Sequence, residues 1–338
     1  MKLFVYEHIT SGALTDQDLP TSLAHEGDEM LSAVLHDCHC LPTVDIIILR
    51  DSRLSKIDNN ERLHCQLVSD PMQFQTLWLQ CLINADAVLI IAPETGHVLA
   101  DLQQQVLDHG KTILGCQPSA ISITTNKLDC EQQLNNHHIA TPKSYLASQW
   151  EQQNFEHSDG YIVKPVDGAG CLDTLMFDSS IALQSYLSQQ HSKTLHHTLI
   201  QPYIQGIPAS LSLLISDNDV LVLAINSQKI NRKVNTLIFT GCVVNGINET
   251  LFSLAQATQL AQQIHHSIPG LWGFIGVDII LSNSTATVVD INPRLTTSYV
   301  GLQQSLSINP MELLFSMNEG ILPILDTTLQ RKRVNIII

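Results

Sequence analysis

Apolar runs alternate with amphipathic stretches through the first third of the chain. Residues 3–6 and 87–92 are continuous apolar runs of strand length, residues 44–49 form a run broken only by Asp45, and residues 112–115 read as a short fourth strand. Between them, residues 22–37, 70–84 and 98–109 repeat their apolar positions at helical spacing. Strands apolar on both faces, alternating with helices, predict a parallel sheet covered on each side and joined by right-handed crossovers.

The pattern changes near Ser119. A-I-S-I-T-T reads as loop, a helix begins around Asn126, and a strand follows Pro142. From Tyr161 the apolar segments become strands separated by hairpin-like turns: YIVKP, TLMFD, HTLIQPYI, SLSLLIS, VLVLAIN and LIFTGCVV. The tetrapeptide S-D-N-D between two of them suits an antiparallel hairpin. A helix over 251–268 precedes two further strands, GFIGVDIIL and TATVVDINP. The fold class predicted is α/β followed by α+β.

Composition narrows the class. No apolar run approaches the roughly 20 residues of a membrane-spanning helix, and MKLFVYEHITSG meets an acidic residue too early for a secretory signal. A cytoplasmic location and no membrane partner are expected. The net charge of −15 argues against binding nucleic acid or an anionic surface non-specifically. None of the eight cysteines forms C-x-x-C. Cys38 and Cys40, beside His36 and His39, are a metal candidate, weighed against the commoner role of cysteine as a small buried hydrophobe.

Three segments carry candidate chemistry. In Y-I-V-K-P-V-D-G-A-G an apolar strand delivers Lys164 to a glycine-rich turn, where backbone N–H groups can approach phosphate. A plain hairpin turn explains that segment equally well. In G-F-I-G-V-D-I-I-L and T-V-V-D-I-N-P-R, Asp278 interrupts an apolar run, and Asp290 and Asn292 lie two apart on a strand. Alternation puts these two on one side, with Val289 and Ile291 toward the core. Two carboxylates and an amide oxygen are hard ligands suited to Mg²⁺; the alternative is an exposed strand face. Arg294 follows at once, able to meet phosphoryl or carboxylate oxygens or to form a salt bridge with Asp290 or Asp278. The third segment, L-I-Q-P-Y-I-Q-G, leads from a strand into a bend with free backbone groups.

Taken in order, these motifs resemble the ATP-grasp superfamily over most of residues 119–318. T-N-K-L resembles the opening of its nucleotide-binding domain, which implies phosphate contact by Lys127. V-K-P-V-D-G-A-G resembles its second lysine strand and mobile loop, implying ATP contacts from Lys164, Gly168 and Gly170. L-I-Q-P-Y-I resembles the adenine hinge, implying Gln201, Tyr203 and Ile204, with Gln201 where the family usually has Glu. G-V-D-I-I and V-V-D-I-N-P-R resemble the magnesium strands, implying Asp278, Asp290 and Asn292 as metal ligands; Asp290 stands where Glu is common. The resemblance implies an ATP-grasp fold with an N-terminal parallel α/β domain over 1–118, an ATP-grasp domain over 119–320 with a lid about 122–200, and a tail over 321–338 that forms either an added strand or an interface.

It also implies an ADP-forming carboxylate–amine ligase working through an acyl phosphate, with Mg²⁺ (or Mn²⁺), Lys164 and Arg294 as catalytic groups, and the oligomeric state, a homodimer included, left open. Y-E-H-I-T-S-G-A, A-H-E-G-D-E-M-L and G-I-P-A-S-L-S further resemble the branch that joins tyramine to glutamate in methanofuran-type cofactor assembly. Substrate contacts are sought at Glu7, Ser11 and Gly12, just past the first strand's C-terminal end. Glu26 is a second candidate, as an ammonium acceptor or a helix-start carboxylate. The stretch Q-K-I-N-R-K offers Lys229 and Arg232 to an anion or is a solvated turn, and Thr297 is a candidate for a polar wall. Competing readings are a ligase for another amino acid or peptide pair and a non-catalytic ATP-binding regulator. A dinucleotide oxidoreductase is disfavoured because the first turn lacks the glycine fingerprint.

Overall fold

A computed structural model describes the chain except for residues 153–158, 169–172, 283–284, 322–324 and 326–329. The N-terminal third is a five-stranded parallel sheet built from β1 (Lys2–Glu7), β2 (Asp45–Asp51), β3 (Leu63–Val68), β4 (Ala87–Ile91) and β5 (Thr112–Ile113), in the order β3-β2-β1-β4-β5. Helix α1 (Thr21–His39) covers one face with Met30, Leu31, Val34 and Cys38. Helices α2 (Pro71–Asn84) and α3 (Val98–Asp108) cover the other with Trp78, Leu82, Leu99 and Val106. Strand β3 has no counterpart in the apolar pattern, because it is an edge strand with only Val68 fully buried.

Two helices follow, α4 (Pro118–Thr125) and α5 (Lys127–Asn136). The sequence predicts loop over most of α4, since its Ser and Thr residues compete for backbone hydrogen bonds. The helix forms because Pro118 opens it and Ala120, Ile121, Thr124 and Thr125 are buried. The Thr124 and Thr125 hydroxyls donate back to carbonyls one turn earlier.

The remainder is a ten-stranded antiparallel sheet. Its strands are β6 (Tyr145–Leu146), β7 (Tyr161–Pro165), β8 (Leu175–Phe177), β9 (Thr198–Pro202), β10 (Ile207–Ile215), β11 (Val220–Lys233), β12 (Thr236–Val244), β13 (Gly273–Ser282), β14 (Thr285–Asn292) and β15 (Val334–Ile337). They run β14-β13-β10-β11-β12-β8-β7-β9-β6, and β15 joins β12 antiparallel. The C-terminal segment is therefore a strand of this sheet. Arg331 ties the segment before it to the Val222 and Leu223 carbonyls at 3.0 and 2.8 Å. Helices α6 (Ser180–Leu187) and α7 (Ser192–His196) lie between β8 and β9, and α8 (Leu254–Ser267) packs beside β11. A 3-10 turn (Thr297–Gly301), α9 (Leu302–Leu306) and α10 (Pro310–Asn318) return to the first domain. There Tyr299 donates to buried Asp37 of α1 at 2.6 Å. Among the described residues, no helix is long and apolar enough to cross a membrane.

Candidate active site

The ten-stranded sheet, with Glu26 of α1, Lys127 of α5 and the segments that follow β9 and β14, lines a cleft of about 490 Å³. Strands β13 and β14 supply its acidic wall. Their register sets Asp278 directly opposite Asp290 and Gly276 opposite Asn292. Val289 is an extra, unpaired residue between the Asp278–Asp290 and Ile279–Val288 pairs. This bulge corrects the alternation expected from sequence. Val288, not Val289, joins Ile291 in the core, while Val289 turns to the cleft. Its carbonyl accepts a hydrogen bond from Lys164 at 3.1 Å. A bulge that re-aims a strand beside a site is a recurrent device.

Two lysines face this wall. Asn126 caps α5, accepting from the Leu128 amide at 3.1 Å, and so delivers Lys127 from the first turn. The Lys127 ammonium lies 2.9 Å from Asp290 and donates to the Gly168 carbonyl at 2.7 Å. Burial alone would lower Lys127, but the Asp290 carboxylate outweighs it and holds the ammonium above its ordinary value. Lys164 lies in the same cleft with a backbone carbonyl as its hydrogen-bond acceptor. Burial, then repulsion from Lys127, lowers it to about 8.

Asp278 accepts from Gln228 at 2.7 Å and from Asn292 at 3.3 Å. These bonds do not offset burial and the facing Asp290, which raise Asp278 to about 6. Two carboxylates held together in a poorly solvated place resist being ionised at once unless a cation joins them. Among the described residues there is no group of three or more His, Cys, Asp and Glu side chains placed to hold a metal. A divalent ion here would use Asp278, Asp290 and the Asn292 amide oxygen, with ligand oxygens completing its shell. The same holds against Cys38 and Cys40, which are respectively buried and exposed.

Arg294 pairs with neither aspartate. Its partner is Glu94, on the loop after β4: Nε lies 2.9 Å from Oε1, and the terminal nitrogen donates to Oε2 at 3.3 Å. The shorter approach is ionic and lies outside hydrogen-bond alignment. Burial opposes the guanidinium charge, and Glu94 more than compensates, so Arg294 is held above its ordinary value. Sequence reasoning missed Glu94, although an acidic residue just past a buried strand's C-terminal end is a recognisable signal. It also passed over Gln228, whose amide the fold turns onto Asp278.

The hinge candidates Gln201, Tyr203 and Ile204 line the cleft together with apolar Ile162, Met176, Leu237 and Phe239. Gln201 donates to Ser144 at 2.8 Å. Gly168 reaches Lys127 as described, whereas Gly170 lies outside the described residues. Glu26 and Thr297 both line the cleft and are hydrogen-bonded to each other, the threonine hydroxyl donating. The stretch 228–233 is strand rather than turn. Arg232 lines the cleft at its exposed side, in a two-pronged pair with Asp178 at 2.7 and 2.8 Å. Lys229 is absent from the lining and donates instead to Asn335 of β15. Glu7, Ser11 and Gly12 also do not line the cleft. Glu7 is buried against Gly27 and accepts from the Thr10 amide at 2.7 Å.

Residues 124–298, more than half of the 338, match the family model described as the ATP-grasp domain, and residues 44–121 match the pre ATP-grasp 3 domain. The chain belongs to the ATP-grasp family. Two curated relatives carry the name tyramine–L-glutamate ligase. That of Methanocaldococcus jannaschii is 28% identical over 238 residues, covering 70% of this chain but only 65% of the relative. That of Methanocaldococcus fervens is 24% identical over 324 residues, covering 94% and 95%. Among solved structures, a protein of Archaeoglobus fulgidus assigned to the ATP-grasp superfamily superposes with a TM-score of 0.71 at 23% identity, covering 94% of this chain and 88% of that one.

Proposed function

We propose that this protein is an ADP-forming carboxylate–amine ligase that joins glutamate to tyramine. One observation carries the ligase reading: Asp278 and Asp290 oppose each other in a cleft that also gathers Lys127, Lys164, Asn292 and Arg294. The donor set fits Mg²⁺, because the raised Asp278 carboxyl and the facing Asp290 call for a cation between phosphate and carboxylate. Held by Asp278, Asp290 and Asn292, that ion would neutralise phosphate charge. Lys127 and Lys164 bind phosphate oxygens, and the apolar face formed by Ile162, Met176, Leu237 and Phe239 receives the adenine beside the 201–204 hinge.

Positioning and charge neutralisation supply most of the catalysis in phosphoryl transfer. The substrate carboxylate oxygen attacks the γ-phosphorus of ATP, releasing ADP and giving an acyl phosphate. The amine then attacks the acyl carbon, a proton leaves the nitrogen, and phosphate departs. Arg294 donates to the oxygen that gains charge in this second step. Glutamate and tyramine as the pair rest on the two relatives' names and on the short motifs around Glu7, Glu26 and Gly206. A cytoplasmic setting follows from the use of ATP.

The test is ADP release with glutamate supplied alongside a panel of amines, and the product identified by mass. Tyramine is expected to give the highest rate with Mg²⁺; Lys164→Ala and Asn292→Ala are expected to lose most turnover. Normal turnover in both variants would remove the site assignment. A different preferred amine would remove the substrate pair alone, and repeating the assay with Mn²⁺ fixes the metal preference.

A further inference from the structure

Resting on the ligase reading above, we propose that Glu94 is a positioning residue for Arg294, and that the loop carrying it links the arginine to the glycine-rich loop.

Glu94 belongs to the N-terminal domain and Arg294 to the other, 200 positions along the chain, yet both are largely buried, at 6% and 15% side-chain exposure. A buried ion pair contributes little net stability compared with apolar side chains of the same volume. Its effect here is geometric. Glu94 meets the guanidinium side-on, through Nε and one terminal nitrogen, and the other terminal nitrogen donates to the Leu295 carbonyl at 3.2 Å. That grip fixes the plane of a side chain which is otherwise rich in rotamers. Of the five guanidinium N–H groups, two are hydrogen-bonded and Nε–H sits against Glu94 by charge alone, which leaves one on each terminal nitrogen in a residue that lines the cleft. These are the donors a developing oxyanion would use.

The loop itself is unusual. Gly96 and His97 both adopt left-handed backbone, with φ of 65° and 63°. For His97, a non-glycine residue, this conformation is uncommon and persists where its surroundings impose it. The bend presents the Gly96 amide to Asp167, in the segment after Lys164, at 3.3 Å. One residue further, the Gly168 carbonyl rests on Lys127. A single loop of the first domain thus touches both the arginine and the start of the glycine-rich loop.

The experiment compares wild type, Glu94→Gln, Glu94→Asp, Arg294→Ala and the Glu94→Gln/Arg294→Ala double variant in steady-state ligation, with ATP binding measured separately. Glu94→Gln is expected to lower kcat about 10- to 100-fold while the KM for ATP moves less than about threefold. Glu94→Asp, which keeps the charge, is expected to recover most of that loss. The double variant is expected to be no slower than Arg294→Ala, since the two residues act as one unit. A kcat for Glu94→Gln within about twofold of wild type, or losses that multiply in the double variant, would overturn the proposal. So would a Glu94→Gln protein that has lost ATP binding or its cooperative thermal transition, because Glu94 would then be structural. Wild type that releases no ADP with any carboxylate and amine sinks the ligase reading and this proposal together; an active wild type with an indifferent Glu94→Gln sinks the proposal alone.

Discussion

Two clusters of buried charge, one in each part of the molecule, are assembled from the same residue types with opposite results. At the C-terminal edge of the parallel sheet, Glu7 accepts the Thr10 amide, and Arg50, at 2% exposure, is paired with Asp28 of α1 and donates to the Ser55 carbonyl at 3.0 Å. Gly27 packs against the Glu7 carboxyl so closely that an added Cβ would lie 2.6 Å from it. Each charge there has a protein partner. In the cleft, Asp278 and Asp290 face each other, two lysines share the remaining acceptors, and the group opens on about 490 Å³. The first arrangement is closed on itself; the second is completed by a ligand. Burial raises a carboxyl in both, Glu7 to about 7 and Asp278 to about 6; the neighbouring carboxylate is the second cause for Asp278, through Asp290, and only the least of those for Glu7, through Asp28.

The sharpest way to break this contrast is to remove one charge from each cluster and measure turnover. Asp278→Ala is expected to reduce substrate-dependent ADP release on the order of 100- to 1000-fold, whereas Glu7→Gln is expected to stay within about threefold of wild type. Equal losses would make Glu7 part of the substrate site, as its place at the C-terminal end of β1 suggests. Stability should respond the other way round. Asp28→Ala leaves the Arg50 guanidinium buried and unpaired, and chemical denaturation is expected to show a loss of about 3 kcal/mol, with turnover per folded molecule little changed.

Metal dependence gives a smaller effect. Asn292→Ala is expected to raise the Mg²⁺ concentration for half-maximal activity about tenfold, and an unchanged requirement would take Asn292 out of the ligand set. Acid should act in the same direction. With Asp278 raised to about 6, its carboxyl is protonated below that pH, so Mg²⁺ binding to the nucleotide-free protein should weaken as pH falls through 6. Calorimetric titration at pH 5 and pH 7 checks the sign.

The smallest expected effect belongs to Glu7. Its pKa of about 7 lies above the ordinary 4.5, so between those values the folded chain holds a proton that the unfolded chain has released. Stability from this group is therefore lost as pH rises from 4.5 to 7. Glu7→Gln removes the dependence, and its Tm advantage over wild type should grow across that window to about 2 °C at pH 8. An equal Tm difference at pH 4.5 and pH 8 would show that Glu7 does not titrate in this range.

Much of the fold was legible from periodicity alone. The apolar runs at 3–6, 44–49 and 87–92 became β1, β2 and β4, and the amphipathic stretches between them became α1 to α3. Both strands lacking a clear signal are marginal: β3 is an edge strand, and β15 is short and half exposed. The ordered motifs gathered Lys127, Lys164, Asp278, Asp290, Asn292 and Arg294 into one cleft. Lys229 lies off the cleft because a bulge after Gln228 interrupts the pairing and its side chain runs to β15, a displacement that no alternation rule anticipates.

What the sequence determined by itself was local: which segments bury a face, which residue caps α5 ahead of Lys127, and which strands carry carboxylates and amides at every second position. These follow from side-chain chemistry and the two backbone periods. Tertiary structure alone decided that Val289 bulges out to hold Lys164, that Gln228 braces Asp278, and that Arg294 answers to Glu94 of the other domain. Those contacts join positions 50 to 200 residues apart. They are fixed by strand register and domain packing, which short-range pattern does not encode.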